Sequence, residues 1–200
     1  MNDPIRLTSL HNLSSRQNGS APAHDEVTKH SAPLQNDAPL PDVSVLIEAC
    51  AAWNYAQWGV FGPHRLAHSV ELFMRAAEDD GALPLTLVAL RGERPLGMAS
   101  LVQHDGDMRP ELGPWLASVF VHPNERRQGV ADRLIEAVTG LARARGEPRL
   151  YLFTPDCEAL YERHGFRAFE TTRYQGLPCT IMVKALDPME EPNGHAPASA

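Results

Sequence analysis

The chain has 200 residues, 43% of them hydrophobic and 22% charged, which is enough apolar material for one substantial core. Its formal net charge of −7 gives no general attraction to nucleic acid or to an anionic membrane surface. No apolar run approaches the roughly 18 residues that a membrane helix requires, and the opening MNDPIRLTSLHNL lacks a basic region followed by an apolar run and a cleavage site, so the expectation is a cytoplasmic protein.

Both ends differ from the middle. SSRQNGSAPAH and EEPNGHAPASA are rich in Ser, Ala, Pro, Asn and Gly and poor in the large apolar groups that offset ordering entropy. Residues 1–26 and 187–200 are therefore expected to be disordered tails around a single domain at 27–186. A first strand should open that domain. KHSAPL (29–34) is the candidate, and Pro33 restricts it to a sheet edge.

From about residue 43, VSVLIEACAAWNYAQWG is apolar at helical spacing. HRLAHSVELFMRAAEDDG repeats the pattern, with Leu66, Val70, Phe73 and Met74 expected on one side. LPLTLVAL (83–90) and PLGMASLV (95–102) read as strands joined by a hairpin turn at RGER, and WLASVFV (115–121) supplies another. Val130, Leu134, Ala137 or Val138, and Leu141 then mark a helix that stops at Gly146. RLYLF (149–153) is a short buried strand. TPDCEALYERHGF begins a helix with Thr154 capping, Pro155 in the first turn and Glu158 near the start, and ends it at Gly165. FRAFETTRY and CTIMVKAL close the core as a final pair of strands. This order describes an α/β (α+β) fold, a mixed central sheet of about six or seven strands flanked by about four helices.

The junction VFVHPNERRQGVADRLIEAV (119–138) passes from strand to helix without a spare residue. Such a junction points several unpaired backbone N–H groups at one spot, where the helix dipole also favours negative charge. Gly129 lets an anion approach bare backbone, and Arg126 or Arg127 can add a charge-assisted contact. GxxxxGK[ST] and GxGxxG are both absent, so neither a Walker loop nor a dinucleotide fingerprint is present. A solvated turn that only caps a helix is the alternative at this point.

Val121, Pro123, Arg126, Gly129 and Ala131 form V-x-P followed by R-x-x-G-x-A, which resembles the acetyl-coenzyme A signature of the GCN5-related N-acetyltransferases (GNAT). LYERHGF (160–166) is similar to that family's second motif, and the element order of roughly residues 29–186 agrees with it. The resemblance implies a GNAT fold and acetyl-CoA as co-substrate. Arg126, Arg127, Gln128, Gly129, Val130 and Ala131 would hold its pyrophosphate. The backbones of Val119, Phe120 and Val121 would line the pantetheine arm, which lies along the strand like an additional strand. Tyr161 stands at the position of the proton donor to the departing thiolate. Thr154 stands where many members carry a cofactor-contacting asparagine, keeping a hydroxyl but losing the amide.

The general base is not specified. The strand position that carries a catalytic glutamate in some members is Trp115 here, and Asp105, Asp107, His104, Glu111 and His122 are the nearby groups able to take a proton. Cys157 has no obvious His/Asp partner and is read as packing, while His164 and Phe166 are read as structural. Neither the three cysteines nor the nine histidines show ligand spacing, so no metal is expected. The resulting expectation is direct acetyl transfer from acetyl-CoA to a primary amine of a small molecule, with no nucleic-acid or membrane partner and with homodimerisation left open. The alternatives are an inert coenzyme A-binding or regulatory module and, behind it, a protein or aminoacyl-tRNA acetyltransferase. The acceptor is expected to meet the two early helices and the loops at 54–64 and 103–114.

Overall fold

The computed structural model describes residues 3–17, 40–78, 81–106 and 109–186. In chain order the elements are β1 (Arg6–Ser9), α1 (Leu10–Gln17), α2 (Val43–Gln57), α3 (Leu66–Arg75), β2 (Leu85–Arg91), β3 (Arg94–Val102) and β4 (Trp115–Val121). They continue as α4 (Val130–Ala144), β5 (Arg149–Thr154), α5 (Glu158–Arg163), β6 (Arg167–Tyr174) and β7 (Leu177–Ala185). Short 3-10 turns at Gly59–Phe61 and Pro123–Glu125 follow α2 and β4.

The strands form one seven-stranded sheet in the order β1-β2-β3-β4-β5-β7-β6, antiparallel throughout except for the parallel neighbours β4 and β5. One face packs on α4, whose Val130, Leu134, Ile135, Val138 and Ala142 are buried against Leu96, Leu116, Leu150, Leu152 and Met182. On the other face Leu46 and Cys50 of α2 and Phe73 of α3 bury against Val88, Leu90 and Met98. Trp115 and Ala117 alternate with Leu116, so they lie on that second face too, in a smaller cluster with Tyr151 and Ile181.

The mixed sheet stands as expected, with five helices among the described residues where about four were anticipated. The difference comes from the amino-terminal end. The expected tail at 1–26 is corrected over Arg6–Gln17, since β1 pairs with β2 from Arg6 opposite Leu90 to Ser9 opposite Leu87, and α1 follows at once. Leu10 and Leu13, three residues apart, are 0% and 2% exposed, and the Ser9 hydroxyl accepts from the Asn12 N–H at 3.2 Å as a helix cap. Two leucines and one cap were too few to register against the polar composition around them. The sheet edge expected of 29–34 is occupied by β1; residues 29–34 and 187–200 lie outside the described residues.

A second correction concerns α3. Phe73 is buried, whereas Leu66 and Met74 are 47% and 55% exposed, and Ser69 takes a core-facing place. The buried stripe runs Ser69–Phe73–Ala76, one position away from the line that the largest apolar residues suggested.

Candidate active site

The strand-to-helix junction is built as a tight cradle. His122 follows the strand as the cap of the 3-10 turn, its ring accepting from the Asn124 N–H at 3.3 Å, and Pro123 opens that turn. The backbone then turns left-handed at Arg127 (φ 61°) and again at Gly129 (φ 75°) before α4 begins. Within α4 the first N–H to reach a helical carbonyl is that of Arg133, donating to Gly129 O at 3.2 Å. The N–H groups of Val130, Ala131 and Asp132 therefore point out of the helix end. A Cβ added at Gly129 would meet no protein atom within 4 Å, so the open space in front of this backbone is what a side chain would fill. Arg126 to Gly129 are all exposed, with Arg126 Nε donating to Val121 O at 3.2 Å.

An ion network around one buried carboxylate holds the cradle from beneath. Glu125 is 5% exposed and accepts from Arg91 Nη1 at 2.7 Å and Arg94 Nη2 at 2.5 Å, both on the β2–β3 hairpin. Burial by itself opposes ionisation of Glu125, but the hydrogen bonds and charges of the two arginines prevail and hold its carboxyl below the usual range. The Gln128 side chain joins this network, accepting from Arg91 Nη2 at 2.9 Å, so it faces the brace while its backbone faces the cradle. The negative charge of Asp132, in the first turn of α4, is drawn away toward α5 by His164 Nε2 at 2.8 Å and Arg163 at 3.9 Å. Residues able to accept an anion remain in front, and the carboxylates are turned behind or aside.

From the cradle a gap runs between β4 and β5. These strands share a single parallel register pair, Trp115 with Tyr151, supported by the Tyr151 N–H donating to Pro114 O at 3.0 Å. Beyond it Val119, Phe120 and Val121 are half-buried, with Phe120 and Val121 paired on their other side with Met98 and Gly97 of β3. Gly97 is required there, because a Cβ would lie 2.4 Å from Phe120 O. On α5, which follows β5, Tyr161 is 8% exposed, its ring edge-on to Phe166 at 6.0 Å. Burial, reinforced by the negative potential of Cys157, Asp105 and Asp156, drives its hydroxyl well above the usual phenol range, so it holds its proton at neutral pH.

The profile of the acetyltransferase (GNAT) family matches residues 47–166. The chain belongs to that family. No curated protein matches it. Among solved structures, an aminoglycoside 6′-N-acetyltransferase complexed with coenzyme A superposes with a TM-score of 0.59 at 14% identity, over 79% of this chain and 97% of that one. An aminoglycoside 6′-acetyltransferase type Ii gives 0.57 at 19%, over 72% and 92%. An acyl-CoA N-acyltransferase from Pseudomonas aeruginosa gives 0.55 at 19%, over 91% and 100%. At these identities the likeness is one of fold.

In this GNAT protein Val119 and Val121 pack against the cluster that holds Val130 of the cradle helix and Tyr161. Thr154 is at the end of β5 and 3% exposed, with its hydroxyl accepting from the Cys157 N–H at 3.0 Å, so it caps the turn into α5. Cys157 does not pack. It is exposed, its thiol donates to Asp156 Oδ1 at 3.3 Å, and desolvation with that carboxylate raises its pKa, which disfavours a nucleophilic thiolate. Among the described residues no group of three or more His, Cys, Asp or Glu side chains is placed to hold a metal ion, and no helix is long and apolar enough to cross a membrane.

The face above the gap is formed by α2, α3 and two loops. Trp53 stacks on Phe120 at 5.1 Å, and its neighbour Asn54 hydrogen-bonds into β4. The turn after α2 approaches the β6–β7 hairpin, where a Cβ at Gly62 would lie 2.7 Å from Gln175 Nε2. The loop after β3 approaches the same hairpin at Tyr174, 3.9 Å from a Cβ at Gly106. The proton-accepting candidates separate here. Glu111 is exposed and held low by a hydrogen bond from Arg109, and His122 is committed to its cap. His104 is exposed, and Asp107 lies outside the described residues. Asp105 is half-buried, its pKa is pushed up to about 7 by desolvation, and its charge reaches both Tyr161 and Tyr174. The brace residues Glu125 and Arg91 were missed from sequence; an acidic residue two positions after the Val-x-Pro proline was the available sign.

Proposed function

We propose that this GNAT protein transfers an acetyl group directly from acetyl-CoA to a primary amine of a small molecule, within one catalytic unit that includes Arg6–Gln17 as well as residues 40–186. The observation that supports the reading is the seam between β4 and β5, paired only at Trp115 and Tyr151, with the left-handed turn into α4 following β4 and the buried, protonated Tyr161 following β5. The aminoglycoside acetyltransferases of similar fold support a small-molecule acceptor, and one of them is complexed with coenzyme A.

When bound, acetyl-CoA supplies a thioester as the acyl donor. The N–H groups of Val130 and Ala131, with Arg126 and Arg127 beside them, would hold its pyrophosphate, and the free edge of β4 at 119–121 would bond its amide-bearing arm. Asp105 takes a proton from the acceptor ammonium, which must be neutral to attack; a carboxylate titrating near 7 is suited to accept that proton at physiological pH. Tyr161 gives its proton to the departing sulfur.

The test is an amine panel with acetyl-CoA, followed by release of free thiol and by mass of the product. The expected result is thiol release that depends on at least one small primary amine. Calorimetric binding of acetyl-CoA without amine-dependent thiol release from the panel would replace this reading by an inert cofactor-binding module.

A further inference from the structure

Two residues along β3, from Met98 to Ser100, face three along β4, from Phe120 back to Ala117, so β4 carries one extra residue. The bulge flips the phase of the strand. Leu116 faces α4, and two-residue alternation would send Val119 and Val121 to the opposite face, yet both pack into the α4 cluster and Phe120 turns to Trp53. Ser118 takes up the extra length with φ 52°, a left-handed conformation that a serine adopts only under constraint.

The constraint is visible. Asn54 Nδ2, from α2, donates to Ser118 Oγ at 3.1 Å, and Ser69 Oγ, from α3, donates to Asn54 Oδ1 at 2.9 Å. Ser69 is 5% exposed, which explains why a polar residue takes the core-facing place on α3. We propose that Asn54 is a positioning residue: one carboxamide ties the left-handed Ser118 of β4 to α3, so that the helices on the acceptor side and the strand beside the gap fix each other's geometry. The consequence for turnover rests on the acetyltransferase reading; the tie itself concerns only β4. Its chemistry is specific, because only a side chain with both a donor and an acceptor at this reach can satisfy the two hydroxyls in the observed sense.

The discriminating variants act on one atom or one angle. Ser118→Ala removes the hydroxyl and keeps the Cβ that resists positive φ. Ser118→Gly removes the same hydroxyl but lets the backbone adopt φ 52° freely. Amide hydrogen exchange over 115–121 in the full chain is expected to speed up by about tenfold in Asn54→Ala and Ser118→Ala, and Ser118→Gly should recover most of that change. In parallel, calorimetric titration with acetyl-CoA should show affinity weakened about fivefold in the first two variants and partly restored in Ser118→Gly. A Ser118→Gly protein that exchanges as fast as Ser118→Ala, or an Asn54→Ala protein with unchanged exchange, overturns the proposal. If the wild-type chain does not bind acetyl-CoA, the acetyltransferase reading fails by itself, and the order of exchange rates alone decides whether Asn54 positions the bulge.

Discussion

Tyr161 and Asp105 are both pushed toward their protonated forms by burial, and the chemistry assigned to each uses that shift differently. For Tyr161 it secures a proton to give. Tyr161→Phe keeps the ring against Phe166 and removes the donor, so kcat should fall by at least about tenfold while acetyl-CoA affinity changes little, general-acid assistance typically being worth about 10²–10⁴. Single-turnover measurement checks it against slow product release. For Asp105 the shift sets the working range. The carboxylate is the active base, so kcat/KM should rise with pH through about 7, and Asp105→Asn should lower the plateau and flatten that limb. Stability moves the opposite way. A carboxyl raised above its unfolded value favours folding below about 4 and loses that advantage as pH climbs through 7. Asp105→Asn should therefore raise Tm at pH 8 and leave it nearly unchanged at pH 3.5. The tyrosine was legible because LYERHGF gives it a local setting. Asp105 was not separable from His104, Asp107, Glu111 and His122, because its burial depends on how its loop settles toward Tyr174, sixty-odd residues away in sequence.

Among the elements, the 3-10 turn after β4 carries a carboxylate directly under a site read as anion-binding, which simple electrostatics would disfavour. Two effects then oppose each other in Glu125→Gln. Net charge near the cradle becomes more positive, which favours an anion, while Arg91 and Arg94 lose the partner that pins the turn to the β2–β3 hairpin. The bracing effect should prevail, since the cradle depends on backbone direction at Arg127 and Gly129. Acetyl-CoA binding is expected to weaken about three- to tenfold by calorimetry, with a salt dependence no less steep than that of the wild type. Tighter binding would show that charge, and not shape, governs the site. The cradle itself was readable from R-x-x-G-x-A, because its function lies in backbone at fixed spacing. The brace was not, because its arginines come from a hairpin more than thirty residues earlier.

At the scale of the whole molecule, the amino-terminal strand and helix close the sheet beside β2. Leu10→Ala should cost about 2–5 kcal/mol in urea unfolding, the range for emptying a fully buried leucine site. Removing residues 1–17 should lower Tm and promote self-association, because it bares the ladder groups of β2 from Leu87 to Leu90. The order of the sheet from β2 onward followed from periodicity and turn residues, since those strands are long and alternate or run apolar. β1 spans four residues, and only its pairing with β2 makes it a strand.

The single register pair between β4 and β5 divides the sheet mechanically as well. A ladder of backbone hydrogen bonds resists shear between neighbouring strands, and along this seam the ladder is reduced to Trp115 and Tyr151. Two leaves result, β1–β4 on one side and β5, β7 and β6 on the other. Sliding between them is opposed chiefly by side chains: α4 lying across both, and the Trp115 ring against Tyr151 at 5.7 Å. Dispersion contacts of that kind yield more gradually than a hydrogen-bond ladder. A substrate arm bonded along β4 and packed against β5 would act as a stitch across the seam, making the protein stiffest when loaded and most compliant when it lets its product go.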